Sequence, residues 1–326
     1  MTARWAILGA GAISRDFADG LKQATLGHLH AVGARSAADA RTFADAHGAP
    51  VAGAYDEILE RNDVDAVYIG TVHTTHADLA IAALEAGKAV LCEKPLTTTP
   101  ADTDAVFAVA ARTGLPLVEA FKYRFGPFPD LLRHTIAGGA IGDVREIVTT
   151  IGFTATERAG RLFDPAVAGG AILDAGCYPV SLAVGVAAWA GQPLDGARVA
   201  SAEGLIGDTG VDERASAVLQ LGTVTARVRT AIVEDLPRSA LIVGSMGEIE
   251  VPNVWGSRQQ STDAAILRRA DGTVQQLTAA TLNPMAAEAD AVIAALRDGR
   301  TEAPEMPWAQ TRVIAALLED WRRALD

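Results

Sequence analysis

The run Gly9-Ala10-Gly11-Ala12-Ile13-Ser14 follows the short apolar segment Trp5–Leu8 and opens an amphipathic one. Two glycines this close between a strand and a helix constrain the fold more than any other feature of the chain. They make the turn by which a parallel βαβ unit presents a helix N-terminus to a polyanion. Gly9 permits the tight turn, and Gly11 removes the Cβ that would keep the backbone from a pyrophosphate. Ala12 and Ile13 open the helix, whose first N–H groups lack intrahelical partners. Ser14 stands where the dinucleotide fingerprint usually has its third glycine. Gly9, Gly11, Ala12 and Ile13 are therefore candidate cofactor contacts.

The rest of the first third repeats the alternation. Leu29–Gly33, Ala66–Ile69, Ala89–Cys92 and Leu117–Val118 are brief apolar runs, and Ala37–His47, Ala77–Ala86 and Ala101–Thr113 carry helical patterning between several of them. Strands alternating with helices predict an α/β domain around a doubly wound parallel sheet. Beyond Phe121 the texture changes to a helical piece, Pro129–Ala137, a strand, Val144–Phe153, a polar loop through Gly170 and a helical stretch, Tyr178–Ala190. From Arg198 to about Leu277 strand-like segments follow one another without helices. Ala217–Leu221, Val224–Thr230, Ala240–Val243 and Glu248–Val251 are among them, with turn signals at Gly222-Thr223 and Met246-Gly247. Such runs predict an α+β domain with a mostly antiparallel sheet. Ala286–Asp298 and Trp308–Leu325 read as helices able to return over a domain face. At roughly 150 residues per domain, 326 residues fit two domains, 1–121 for the dinucleotide and 122–326 for substrate.

With 28 Lys and Arg against 40 Asp and Glu, the net charge is −12. A field of that sign repels nucleic acid and anionic membranes, so neither is an expected partner. A polyanionic cofactor must then be held by local chemistry of the kind the Gly9–Ser14 turn supplies. Cys92 and Cys177 form no disulfide framework and match no zinc spacing, so no metal is expected. A reducing, cytoplasmic location is the expectation, with no signal-peptide pattern and no apolar run of the ~20 residues a membrane span needs.

After the second strand, Gly33-Ala34-Arg35-Ser36 lacks the acidic residue that would bind the ribose 2′-hydroxyl of NAD. Arg35 and Ser36 suit a 2′-phosphate, so NADP is the expected cofactor, with NAD the lesser option. The same residues have a plainer use: Ser36 as the cap of the helix from Ala37, and Arg35 as a solvated cation. The apolar run from Ala89 ends in Glu93-Lys94-Pro95. Charged residues at the carboxyl end of a parallel strand lie beside the ligand crevice, which makes Glu93 and Lys94 candidates.

The Gly9–Ser14 turn, Glu93-Lys94-Pro95 and Gly169-Gly170-Ala171-Ile172-Leu173-Asp174-Ala175-Gly176-Cys177-Tyr178 together resemble the glucose-fructose oxidoreductase/inositol dehydrogenase/rhizopine-catabolism (Gfo/Idh/MocA) family. The resemblance extends over almost the whole chain, through Ala54-Tyr55-Asp56, the Thr71–His76 turn, Glu119-Ala120-Phe121, Tyr123-Arg124-Phe125, Ile141–Val144 and Gly210–Glu213. The segment ending in Tyr178 is most similar to the branch of dimeric dihydrodiol dehydrogenases and NADP-dependent aldose dehydrogenases.

The resemblance implies an N-terminal Rossmann domain, a C-terminal open-faced sheet and hydride transfer in the cleft between them. It implies that Lys94 lies by the nicotinamide and the reacting carbon, and it puts the family's Asp-x-x-x-His pair at Asp174 and Tyr178. Tyr178 is then the base in alcohol oxidation and the acid in carbonyl reduction, its pKa lowered by Lys94. If the segment is helical, Asp174 and Tyr178 share a face, and Asp174 orients a substrate hydroxyl or holds Lys94. Otherwise Asp174 caps a helix starting near Gly176.

Thr71, His73 and His76 are implied on the nicotinamide side, with Val72 in place of the usual proline. Arg124 is implied as a cofactor or substrate contact, or else serves in a structural ion pair. Lys122 occupies a commonly apolar position; pointing into the cleft it would change substrate preference, and at the surface it would be solvated or ion-paired. Glu157, Arg158 and Arg161 are expected at the substrate entrance. Trp255 and Trp321 read as packing residues, as does Trp308, which is also placed to touch the cofactor edge.

The implied substrate is a small polyhydroxylated molecule, an aldose or a vicinal diol. The alternatives are a cyclitol or keto sugar and, in another class, a non-catalytic NADP-binding regulator. An open sheet with one uncovered face also predicts a homodimer through the C-terminal sheet.

Overall fold

The computed structural model describes residues 2–256 and 261–325. In the first half, strands β1 (Ala3–Leu8), β2 (Gly27–Gly33), β3 (Val51–Gly53), β4 (Ala66–Ile69), β5 (Ala89–Glu93) and β6 (Leu117–Ala120) alternate with helices α1 (Ala12–Leu21), α2 (Ala37–His47), α3 (Tyr55–Leu59), α4 (His76–Glu85) and α5 (Pro100–Thr113). The sheet order is β3-β2-β1-β4-β5-β6 and every pair is parallel. In this doubly wound order the chain reverses between β1 and β4, and ligands bind outside the strands' carboxyl ends there. β4 and β5 are buried at every residue because helices cover both faces, which is why they read as continuous apolar runs. Helices α2 and α5 start where Ser36 and Thr99 accept the N–H of Asp39 and Asp102, and stop at the left-handed glycines Gly48 and Gly114.

The second half begins with α6 (Pro127–Ala137), β7 (Val144–Thr154) and α7 (Cys177–Trp189). Strands β8 (Arg198–Ile206), β9 (Asp212–Leu221), β10 (Val224–Ala231), β11 (Val233–Leu236), β12 (Ala240–Gly244), β13 (Gly247–Val251), β14 (Ser261–Arg269) and β15 (Val274–Thr281) follow. They join β7 in a nine-stranded sheet ordered β15-β14-β13-β12-β7-β10-β9-β8, with β11 also against β7. Only β7 and β10 pair in parallel, so the sheet is mostly antiparallel, as the run of strands predicts.

Helix α7 packs on β7 and β10, burying Ile147, Ile151, Ala226 and Val228. The residues that alternate with these face away and carry the cross-strand ion pair of Arg227 with Glu146 at 2.8 Å, and β13 and β14 carry another, Arg268 with Glu250 at 2.8 Å. Helices α8 (Pro284–Arg297) and α9 (Trp308–Arg323) return to the first half, α8 against α1 and β5 and α9 against α5 while also touching α7. The apolar stretch Pro165–Trp189 is long enough to cross a membrane, but 89% of its apolar window is buried inside the protein, where it forms the core of the second half.

Candidate active site

A cleft of about 970 Å³ runs from the β1–α1 turn past the carboxyl ends of β4 and β5 to the second sheet. Gly9, with φ +103°, leaves no room for a side chain: a Cβ there would stand 2.9 Å from both the Gly70 carbonyl oxygen and Thr71 Cγ2. At Gly11 a Cβ would meet nothing nearer than Gly70 O at 3.8 Å, so the approach is open. Helix α1 starts there with no side-chain cap and no acidic residue in its first turn. Its N-terminal N–H groups are left to an anion. Ser14 can replace the third glycine because the residue opposite is Gly70, which has no Cβ to collide with Ser14 Oγ. This cradle fits a pyrophosphate, and Ala12 and Ile13 line it as expected.

Arg35 lines the cleft beyond the carboxyl end of β2, exposed and without an ion pair among the described residues. Ser36 takes the plainer of its two uses, its Oγ accepting Asp39 N–H at 3.3 Å. It is not part of the cleft wall.

Farther along, Lys94, Asp174 and Tyr178 meet. The segment Ile172–Gly176 is one π-helical turn that runs directly into α7. Two glycines make this possible. A Cβ on Gly169 would lie 2.6–2.9 Å from the carbonyl oxygens of Arg161, Leu162 and Asp164, and Gly170 has φ +112° with the Asp212 side chain filling the Cβ position. Asp212 Oδ2 in turn accepts Ile172 N–H at 2.6 Å, anchoring the turn. The Asp174 backbone carbonyl thereby accepts from Lys94 Nζ at 2.6 Å, while its carboxylate takes Arg161 at 2.7 Å. Asp174 does not cap α7. It holds Lys94 through the main chain, leaving its side chain to Arg161.

Tyr178 is half-buried, its ring edge-on to Phe121 (5.6 Å) and Trp255 (5.5 Å). Lys94 Nζ stands 5.0 Å from the ring centroid. No described residue bonds the Tyr178 hydroxyl, which is left to the cleft.

The charges differ from the sequence expectation in one respect. Burial pushes the Tyr178 phenol well above its ordinary range; Lys94 pulls the other way, as expected, but does not prevail. For Lys94, burial alone would depress the ammonium, yet the ionisable neighbours Cys177, Tyr178, Asp174 and Glu93 raise it overall. At neutral pH the thiol and phenol are uncharged, so the Asp174 carboxylate, itself held below the usual range, is the anion that keeps Lys94 protonated. Burial also opposes the Asp174 carboxylate, but Lys94 and Arg161 hold it below the usual range.

His73 and His76 both line the cleft, their rings 5.8 Å apart. His73 is 7% exposed, and burial, then Lys94 and His76, lower its pKa to about 3, so it is neutral. The two ring nitrogens of His76 face Pro95 O at 2.9 Å and Thr71 O at 3.3 Å, tying the two cleft loops together. Thr71 Oγ1 accepts from Thr75 at 2.7 Å. Glu93 lies beneath, accepting the Tyr68 hydroxyl at 2.8 Å.

Arg124 is not in the cleft. It is buried, donates to Ser181 O, Glu305 O and the Gln310 side chain, and lies 5.3 Å from the Trp189 ring. It braces α7 and α9, and its partners are carbonyl groups, so it is neither a cofactor contact nor an ion pair. Trp308 likewise stacks on Phe107 at 4.6 Å and donates to Leu117 O, away from the cleft wall. Of the entrance residues, Arg161 lines the cleft, whereas Arg158 turns to Glu213 and Glu157 is exposed outside it.

The cleft wall has three further members: Lys122, which takes the cleft-facing one of its two expected positions, Trp255, expected only to pack, and Arg238, which no motif marks. Lys122 is buried rather than on the surface, faces the cleft and donates to Trp255 O at 2.9 Å. Trp255 itself forms wall beside Tyr178, fixed by its Nε1 donating to Thr150 O at 2.9 Å. Arg238, on the loop before β12, completes that side. No local motif marks Trp255 or Arg238, since each is isolated in sequence.

Residues 3–121 match the model of an oxidoreductase family with an NAD-binding Rossmann fold, and residues 130–250 match the Gfo/Idh/MocA C-terminal domain. Trans-1,2-dihydrobenzene-1,2-diol dehydrogenase of Xenopus tropicalis is 33% identical over 328 residues, covering 98% of this chain and 97% of the relative. The Homo sapiens enzyme of that name is 32% identical, covering 100% of this chain and 97% of its own. A 3-ketoreductase from Actinomadura kijaniata, solved with NADP and TDP-benzene, superposes with a TM-score of 0.88 at 26% identity, over 100% of this chain and 98% of that one. Aldose-aldose oxidoreductase from Caulobacter crescentus, complexed with glycerol, gives 0.86 at 25% identity over 99% and 97%. In sequence over its full length, and in fold, the chain belongs to the Gfo/Idh/MocA oxidoreductase family.

Proposed function

We propose that this protein is an NADP-dependent oxidoreductase acting on a hydroxyl-bearing carbon of a small polyhydroxylated molecule, a sugar or a vicinal diol. The observation that carries the reading is the convergence of Lys94, Asp174 and Tyr178 on the cleft that begins at the Gly9–Ile13 cradle. The relatives and neighbours, named as diol dehydrogenase, ketoreductase and aldose oxidoreductase, support it.

NADP(H), when bound, accepts or supplies the hydride. Gly9, Gly11 and the first turn of α1 would hold its pyrophosphate, and Arg35 would bind its 2′-phosphate. Lys94, fixed by the Asp174 carbonyl, turns its positive charge on the reacting oxygen and polarises it. The Tyr178 hydroxyl gives its proton to that oxygen in reduction and takes one from it in oxidation. Phe121, Trp255 and Ile151 exclude water around the exchange. Asp174 with Arg161 closes one side of the substrate space.

We also propose that the chain divides near residue 121, as the two family-model matches at 3–121 and 130–250 suggest. A homodimer through the uncovered face of the second sheet and a cytoplasmic location, in keeping with the two unpaired buried thiols, complete the reading.

Tyr178→Phe tests the mechanism. Turnover of a sugar or diol panel with NADP falls by about 10²–10⁴-fold, while NADPH affinity, measured by fluorescence titration, stays at the parent value. Equal turnover in variant and parent removes Tyr178 as the proton carrier. Arg35→Ala tests the cofactor: NADP(H) affinity drops far more than NAD(H) affinity, and an unchanged ratio means that the 2′-phosphate is read elsewhere.

A further inference from the structure

Lys94 can polarise the reacting oxygen only while its charge is not cancelled by a contact closer to hand. The Asp174 carboxylate is the group best placed to cancel it, because the carbonyl of the same residue already accepts from Lys94 Nζ at 2.6 Å. Its charge acts on Lys94 through space, yet among the described residues no ion pair joins the two side chains. The carboxylate is turned instead to Arg161, whose Nη1 donates to Oδ1 at 2.7 Å. Glu93, the other carboxyl beside Lys94, is engaged by the Tyr68 hydroxyl and the Lys94 backbone N–H.

The Arg161 pair is poorly suited to adding stability. The arginine side chain is 55% exposed against 10% for Asp174, and an arginine open to solvent contributes little by pairing alone. Its placement is nevertheless fixed. Arg161 opens the single turn Arg161–Phe163, and Phe163 is buried in one cluster with Ala171, Val211 and Ile232. Gly170 N–H donates to Leu162 O at 2.8 Å and Gly169 N–H to Asp164 O at 3.0 Å. The glycine pair that starts the π turn therefore sets the arginine as well, so one corner of the fold positions both partners.

We infer that Arg161 is a positioning residue of the reaction: by holding the Asp174 carboxylate it keeps that group off Lys94, whose charge stays directed at the reacting oxygen. The inference rests on the oxidoreductase reading. Opposite charges attract strongly in a site shielded from water, so without Arg161 the carboxylate turns to Lys94 Nζ. The contact pair that forms weakens the field that Lys94 offers the oxygen on which charge develops.

Arg161→Gln, assayed with NADP and the best substrate of the sugar and diol panel, is expected to lower kcat by about tenfold or more and to leave KM near the parent value. Arg161→Lys keeps a charge able to reach Oδ1 and recovers most of the loss. In an Asp174→Asn background the carbonyl remains and the carboxylate charge is gone, so Arg161→Gln then costs no more than about twofold. A further readout needs no turnover. In crystal structures of the NADP complexes, the Asp174 carboxylate of Arg161→Gln lies within hydrogen-bond distance of Lys94 Nζ, and that of Arg161→Lys does not. Should no sugar or diol turn over in the parent, the oxidoreductase reading fails, while the crystal structures still decide whether Arg161 holds the carboxylate off Lys94. A carboxylate that stays in place in Arg161→Gln, a raised KM at unchanged kcat, or a loss of equal size in the Asp174→Asn background overturns the inference.

Discussion

Tyr178 carries the chemistry under an unusual condition, because the burial that shapes the site also opposes its ionisation. A phenol kept protonated through neutral pH is a ready acid and a reluctant base. Carbonyl reduction should therefore proceed at a rate that barely changes from about pH 6 to 8, since Tyr178 stays loaded throughout. Alcohol oxidation needs the phenolate, and its rate should climb by about tenfold per pH unit over the same range. His73 does not blur the test, for burial has already moved its titration to about 3. Initial rates in both directions across this range check the assignment, and parallel profiles would exclude Tyr178 as the titrating group. Lys94 does not contribute a titration either, because the Asp174 carboxylate keeps it charged.

At the scale of elements, the catalytic constellation depends on the single π turn between Gly170 and α7, and that turn depends on glycine. Gly170→Ala must accept φ +112° and displace the Asp212 side chain, whose Cγ would lie 3.0 Å from the new Cβ. Gly191, at the end of α7, has φ +73° and open space around it, so Gly191→Ala bears the backbone strain alone. In urea unfolding Gly170→Ala should lose roughly 1–3 kcal/mol beyond Gly191→Ala, and it should lose activity as well because Asp174 and Lys94 move together. Equal losses would show that Asp212 yields freely. The same elements show what a sequence discloses. Strands β4 and β5, buried on both faces, are continuous apolar runs, and the segment from Gly169 to Tyr178 keeps its glycines next to its reacting groups, so both are legible. Strand β3 has three residues at a sheet edge, and β8 is mostly exposed, so neither leaves a hydrophobic pattern. Lys122, Arg238 and Trp255 come from three separate places and meet only because the turn after β13 folds back on β7. Spacing along the chain carries no trace of that meeting. Arg124 shows the converse, since its motif marks a position that the fold uses for bracing.

For the whole molecule, the carboxyl groups buried around the cleft set how stability depends on pH. Burial raises Glu119 to about 7 and Asp212 to about 6, and it raises Glu93 and Glu288 as well. A carboxyl whose folded pKa lies above its unfolded value stabilises the fold fully below the unfolded value, near 4.5 for Glu, and that stabilisation is lost as pH rises through the folded value. At ~1.4 kcal/mol per pH unit, Glu119 alone accounts for about 3 kcal/mol lost between its ordinary 4.5 and about 7. Asp174, Asp63 and Asp65 act in the opposite sense: their pKa values are lowered, so their contribution is present above about pH 4 and disappears as acid protonates them. Net charge adds to the first group, because self-repulsion grows as pH rises above the pI of about 5.0. The two sets leave a maximum near pH 5, with stability declining toward pH 8. Melting temperatures taken at constant ionic strength from about pH 4 to 8 measure this directly, and Glu119→Gln should flatten the descent between about pH 5 and 7. A melting temperature that rises over that interval, or a descent that Glu119→Gln leaves as steep, would mean that these carboxyl groups ionise without cost in the fold. The enclosure of Glu93, Glu119 and Glu288 between the first sheet and the returning helices would then admit water that the packing of α8 excludes.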